Sequence, residues 1–130
     1  MAKEEKKTNV LSMVGFWAFI VGLILALVVG IMAGIGIAPA ALMTVIIIIL
    51  VLLGLIIGFL NITASEIILF LVATIALIVV GNAFTPLVAL KIGVVVDIIG
   101  SILSLIGVLM APAAIIAAIK ALWKVGKPGD

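Results

Sequence analysis

The sequence predicts an all-α integral membrane bundle of four transmembrane helices, and three observations carry that prediction. Apolar residues make up 68% of the 130 residues and charged ones 9%, against about 45–50% and about 25% in soluble domains. The apolar residues fall into four long segments, about 10–33, 40–60, 64–80 (cap included, its apolar run starting at Ile67) and 87–125, separated by short stretches rich in Gly, Pro, Asn and Thr. Six lysines (Lys3, Lys6, Lys7, Lys120, Lys124 and Lys127) lie towards the two ends, and the turns between runs carry one charge, Glu66. With a mean hydropathy of +1.75, the chain needs a bilayer as its solvent.

Residues 1–9 read as a charged tail, short and flexible or interfacial, in which lysines outnumber Glu4 and Glu5. The first run has Asn9 or Thr8 as its N-cap and is long enough to span, since a crossing needs about 20 residues at about 1.5 Å each. It is read as an uncleaved span, because the apolar region of a signal peptide is only about 7–15 residues. Gly34, Gly36 and Pro39 then predict a tight turn into an antiparallel neighbour. The second run is dense in β-branched residues. Membrane strands, however, are about 9–11 residues of alternating character, so an unbroken run of this length is a helix.

Asn61 is expected to end the second helix, with Thr63 and Glu66 forming a capping box for the third. That third run, 64–80, approaches the lower limit for a span, and Gly81-Asn82 is expected to end it. Thr85 and Pro86 read as the N-cap and first-turn proline of the last helix, 87–125. This helix is longer than one crossing requires, with Gly93 and Pro112 as its candidate bends. Lys120, Trp123 and Lys124 mark its exit at the headgroups, and residues 126–130 form a C-terminal tail. The positive-inside bias places both termini in the cytoplasm, which an even number of spans satisfies.

One stretch organises the rest. At alternating steps of four and three, Gly93, Asp97, Gly100, Ser104, Gly107, Ala111, Ala114, Ala118 and Ala121 are all small or polar, and Val, Ile and Leu dominate between them. This pattern suits a helix whose small face packs closely on a neighbour while its bulky residues meet lipid. The first helix carries a second ladder, Ala18, Gly22, Ala26, Gly30 and Gly34, and Gly54 and Gly58 repeat the spacing in the second. These faces are expected to serve helix packing, either within one chain or against a neighbouring subunit.

Asp97 is the one acid inside an apolar run, and an intramembrane carboxylate is a functional candidate by default. Counting about 20 residues back from Lys120 puts the hydrocarbon edge near Gly100, so Asp97 is expected at the outer interface. Lys91 is about 120° away on an ideal helix, so a Lys91–Asp97 pair would need a bend or a second subunit. With no histidine and no cysteine, the usual bases, nucleophiles and metal sets are missing. No catalytic residue, metal site or cofactor is predicted, and an enzyme is not expected. No basic stripe exists to follow nucleic acid. The expected partners are the lipid bilayer and further copies of the chain.

The passages VGFWAFIVGLILALVVG and VLLGLIIGFLNITASE resemble small multi-span archaeal membrane proteins of uncharacterised function. The resemblance implies a Gly-rich helix pair in a membrane and brings no activity with it. Two functional classes follow from the residues. One is a structural or scaffold protein that self-associates through its Gly/Ala/Ser faces; small helical capsid proteins of some archaeal viruses are similar in composition. The other is an oligomeric conduit for protons or small ions with Asp97 as the titratable group. Proteolipid rotor subunits share that theme, but they hold the acid near mid-bilayer.

Overall fold

The computed structural model describes residues 2–60 and 67–126; the expected stop at Asn61, the Thr63–Glu66 capping box and Lys127 lie outside them. Four helices follow one another: α1 Ala2–Ile35, α2 Ala40–Leu60, α3 Ile67–Ala89 and α4 Val94–Gly126. Each is long and apolar enough to cross a membrane. The all-α four-helix architecture read from the sequence is therefore the one observed.

α4 is the axis of the bundle. The other three helices all pack on it and α1 also meets α2, while α3 packs on α4 alone among the described residues. Close approaches fix the directions. Gly22 faces Leu109, Gly30 faces Ile102 and Gly34 faces Ile98, so α1 runs antiparallel to α4. Gly54 faces Leu109 and Pro112, and Gly58 faces Ala113 and Ile116, so α2 runs parallel to it. The start of α1 and the end of α4 thus share one end of the bundle, and the α1–α2 and α3–α4 turns share the other.

The core lies along α4, where Leu105, Leu109, Ala113 and Ala117 meet Ala26 and Val29 of α1 and Leu50 and Ile57 of α2. Outside this core, large aliphatic residues such as Ile24, Ile48, Leu69, Val79 and Ile119 remain exposed on all four helices. In water that surface would be untenable; in lipid it is already solvated. Trp17 and Trp123 are exposed as well.

Several boundaries differ from the sequence reading. α1 begins at Ala2, ahead of the expected caps Thr8 and Asn9. The segment AKEEKK consists of strong helix formers, and extending an existing helix avoids the cost of nucleation. The α1 stop is Gly36 alone, at φ +90°. Its N–H donates to Ala33 O at 3.1 Å, and Ile37 N–H donates to Met32 O at 3.0 Å, the paired bonds of a Schellman cap.

α3 runs through Gly81, Asn82 and Pro86 to Ala89, so residues 87–89 belong to it and not to the last helix. A proline inside a membrane helix is tolerated; the carbonyl that Pro86 frees is Asn82 O, and one residue earlier Thr85 Oγ1 donates to Gly81 O at 3.5 Å. The extension makes α3 23 residues long, about 34 Å at 1.5 Å per residue, which removes the shortfall in the third span. The chain turns at Lys91, which takes φ +51°. Gly93 is not a bend: its carbonyl accepts from Asp97 N–H at 3.2 Å, in the first turn of α4. Pro112 sits inside α4, which is helical on both sides of it.

Candidate functional site

The two glycine ladders and the α4 seam play different parts. A Cβ on Gly30 would lie 2.6 Å from Ile102 Cγ1 and 2.8 Å from Ile102 Cα, and one on Gly34 would lie 2.5 Å from Ile98 Cα. On Gly22 it would meet Leu109 Cδ1 at 2.7 Å, on Gly58 Ile116 Cβ at 2.9 Å, and on Gly54 the Leu109 carbonyl oxygen. Ala26 is buried between Gly22 and Gly30, and Ala18 is buried one turn before Gly22. The ladders of α1 and α2 are therefore holes, filled by the bulky residues of α4. Close packing requires a knob for each hole, so the face of α4 turned to them carries Ile98, Ile102, Leu109 and Ile116 beside the small Ala113 and Ala117.

That geometry turns the small-residue face of α4 elsewhere. Ser104 is exposed, and Gly100, Gly107, Ala111, Ala114, Ala118 and Ala121 are half-buried. Gly93 and Gly107 have nothing within 4 Å of a Cβ position. The residues of α4 that are buried are Leu105, Leu109, Met110, Ala113, Ile116 and Ala117. On α4, close backbone contact along the whole seam, as the sequence suggested, is replaced by a half-covered floor. α3 covers one edge, where a Cβ on Gly100 would lie 2.7 Å from Val88 Cγ2.

Above this floor lies a groove of about 620 Å³ between α2 and α3. Gly100, Ser101, Ser104, Gly107 and Ala111 form its base. Met43 and Ile47 line the α2 wall, and Leu77, Ile78, Asn82 and Thr85 line the α3 wall. Both helix-interior prolines bear on it. Pro86 has no N–H to give Asn82 O and Pro112 none to give Val108 O, and Asn82 and Val108 both line the groove.

The polar side chains of the groove, Asn82, Thr85, Ser101 and Ser104, fall within about one helical turn of depth. Gly81, were it to carry a Cβ, would touch Leu103 Cβ at 3.8 Å, so on these antiparallel helices Asn82 and Ser104 lie within about 3 Å of each other in depth. α2 is 21 residues long, about 31 Å, close to the hydrocarbon thickness of about 30 Å. Lys120 marks its far end: Nζ donates to Gly58 O at 2.8 Å and to Phe59 O at 3.3 Å. Counting about 20 residues back from there puts Ser104 and Asn82 about 5–10 Å inside the opposite hydrocarbon edge.

Asp97 lies one turn before Ser101 on the same face of α4, beyond the residues that line the groove. It is half-buried, and its Oδ1 is buried without a hydrogen-bond partner. Lys91 is exposed in the turn. Thr74 is 2% exposed, with its Oγ1 also unpartnered. Among the described residues no cluster of acidic, His or Cys side chains could hold a metal.

Sequence reasoning missed Asn82 and Thr85, because Gly-Asn followed by Thr-Pro reads as a helix end and a helix start. The available signal was that the text on both sides of this segment stays apolar up to Lys91. It also read Lys120 only as an exit marker, whereas the side chain satisfies the last carbonyls of α2.

No protein-family model matches the chain, and neither the curated proteins nor the solved structures compared with it provide a match. The fold and the exposed aliphatic surface define its class: an integral membrane protein built as a four-helix bundle around α4.

Proposed function

We propose that the chain is a structural or scaffold protein of the membrane that self-associates through the Gly/Ala/Ser face of α4. The observation that carries this reading is the groove floor. The small ladders of α1 and α2 are filled from within the chain, and the small seam of α4 is left open along Ser104 and Gly107. A small-residue face in lipid lets another helix approach closely and gain dispersion contacts. The two terminal segments, which hold six lysines, lie on the cytoplasmic side in this reading.

Gly107→Leu tests it. The new side chain enters open space, so the bundle should keep its helicity and melting behaviour while the groove fills. Mass measured in a mild detergent or in nanodiscs should fall from oligomer to monomer. A monomeric wild-type chain, or a Gly107→Leu oligomer of unchanged mass, would refute the proposal.

A second reading is an oligomeric conduit for protons or small ions, supported by the unpartnered Asp97 Oδ1. Liposomes holding a proton-sensitive dye check it: Asp97→Asn should abolish leakage. Proteoliposomes that stay tight with the wild-type chain would exclude it.

A further inference from the structure

We infer that the groove is occupied by α3 of a second copy, with Asn82 of the two copies hydrogen-bonded to each other across a two-fold axis parallel to the membrane normal. This inference rests on the self-association reading above and specifies its interface.

Lipid is a poor occupant for this site. Asn82, Ser101 and Ser104 line the groove, and none of the three makes a side-chain hydrogen bond among the described residues. At their depth a lipid offers acyl chain, which neither donates nor accepts. A polar group left unpaired in such surroundings costs several kcal/mol in the limit of full desolvation. The occupant must therefore bring hydrogen-bonding groups to this level.

A second copy in the same membrane orientation does so by symmetry. Rotation about the membrane normal preserves depth, so Asn82 meets the partner's Asn82, with Ser104 within about 3 Å of that depth. The asparagine amide carries donors and an acceptor, and so pairs with itself. The helix that would enter is also the least committed one. Among the described residues α3 packs on α4 alone, and Val72, Ile75, Ile78 and Val79 on it are exposed. Isologous contact places the groove-facing sides of the two α3 helices together, each covering the partner's small-residue floor.

The chain contains no cysteine, so single-cysteine variants report cleanly. Asn82→Cys in proteoliposomes under mild oxidation should yield a covalent dimer. Leu69→Cys, also exposed on α3 but outside the groove lining, should not. By energy transfer between labelled copies in lipid, Asn82→Leu should raise the dissociation constant about tenfold, in the range of measured interhelical hydrogen bonds in membranes. Leucine at this exposed position should leave the circular dichroism of the fold unchanged.

A wild-type oligomer whose Asn82→Cys variant does not cross-link, and whose Asn82→Leu variant associates equally well, would overturn this inference and leave the self-association reading standing. Labelling of the Asn82→Cys variant by a membrane-impermeant maleimide, without cross-linking, would overturn it in favour of a water-filled groove. A monomeric wild-type chain would overturn both.

Discussion

Adding one methyl group at Gly54 tests the central packing argument. The Cβ of an alanine there would run into the Leu109 carbonyl oxygen, with Pro112 Cγ at 3.2 Å and Leu109 C at 3.3 Å. These are backbone and ring atoms, which cannot rotate aside. α2 must withdraw from α4, and Leu50 and Ile57, 0% and 1% exposed, lose part of their contact. Overpacking of this kind costs about 1–3 kcal/mol. Alanine also gains up to about 1 kcal/mol over glycine in helix propensity, which would mask part of the loss. Gly107→Ala provides the reference, because its Cβ meets nothing within 4 Å and the propensity gain is common to both. The difference between the two variants should therefore be about 1–3 kcal/mol, with Gly54→Ala the less stable. Denaturant unfolding in a detergent that keeps the chain monomeric, followed by circular dichroism, measures it. Equal stability of the two variants would show that the α2–α4 approach is not a backbone contact.

Three further outcomes follow from particular groups. Lys120→Met removes the donor to Gly58 O and Phe59 O and should lower stability by about 1–2 kcal/mol, whereas Lys124→Met, at an exposed lysine, should change little in the same unfolding titration. Gly36→Ala places an L side chain at φ +90° and should cost roughly 1–2 kcal/mol; Gly36→Asn should recover part of it, since there is no clash to relieve. Thr74→Val keeps the shape and removes an unpartnered hydroxyl from a site 2% exposed, so the melting temperature should stay level or rise. A drop would reveal a hydrogen bond to that hydroxyl.

The fold class was legible because a bilayer imposes a simple rule: long apolar runs punctuated by Gly and Pro are helices, and no other reading of 68% apolar residues holds together. The α1–α2 turn followed from the same punctuation, and Gly36 met it with the positive φ that selects glycine. The boundary at residues 81–93 was misread because punctuation rules come from water. Asn82 and Pro86 end helices when solvent can take the freed carbonyls; inside an apolar run, stopping the helix would expose still more backbone, so α3 continues. The direction of the α4 seam was illegible for a different reason. Periodicity shows that one face is small, but it does not say whether that face meets a knob, a second small face or nothing. Only the register of Gly22, Gly30, Gly54 and Gly58 against Leu109, Ile102 and Ile116 decides it.

That register also explains why the groove exists. α4 presents its large residues to α1 and α2, so its small residues must point away from them, and α3 alone remains to cover that side. One helix cannot cover a face that runs from Gly100 to Ala111 and beyond, and Ser104 and Gly107 are left over. The buried residues of α3 are Ile67 and Thr74, so its hold on the bundle is the weakest of the four. An occupant of the groove would contact α3 and α4 together and fix α3 in place. Binding that favours the assembled state adds stability that grows as the logarithm of one plus the ratio of partner concentration to dissociation constant. The stability of α3 should therefore rise with the protein-to-lipid ratio, while the α1–α2–α4 core, whose holes are filled from within, should not respond. Hydrogen exchange of α3 amides at two protein-to-lipid ratios separates the cases, and equal protection at both would mean that nothing of this chain's own enters the groove.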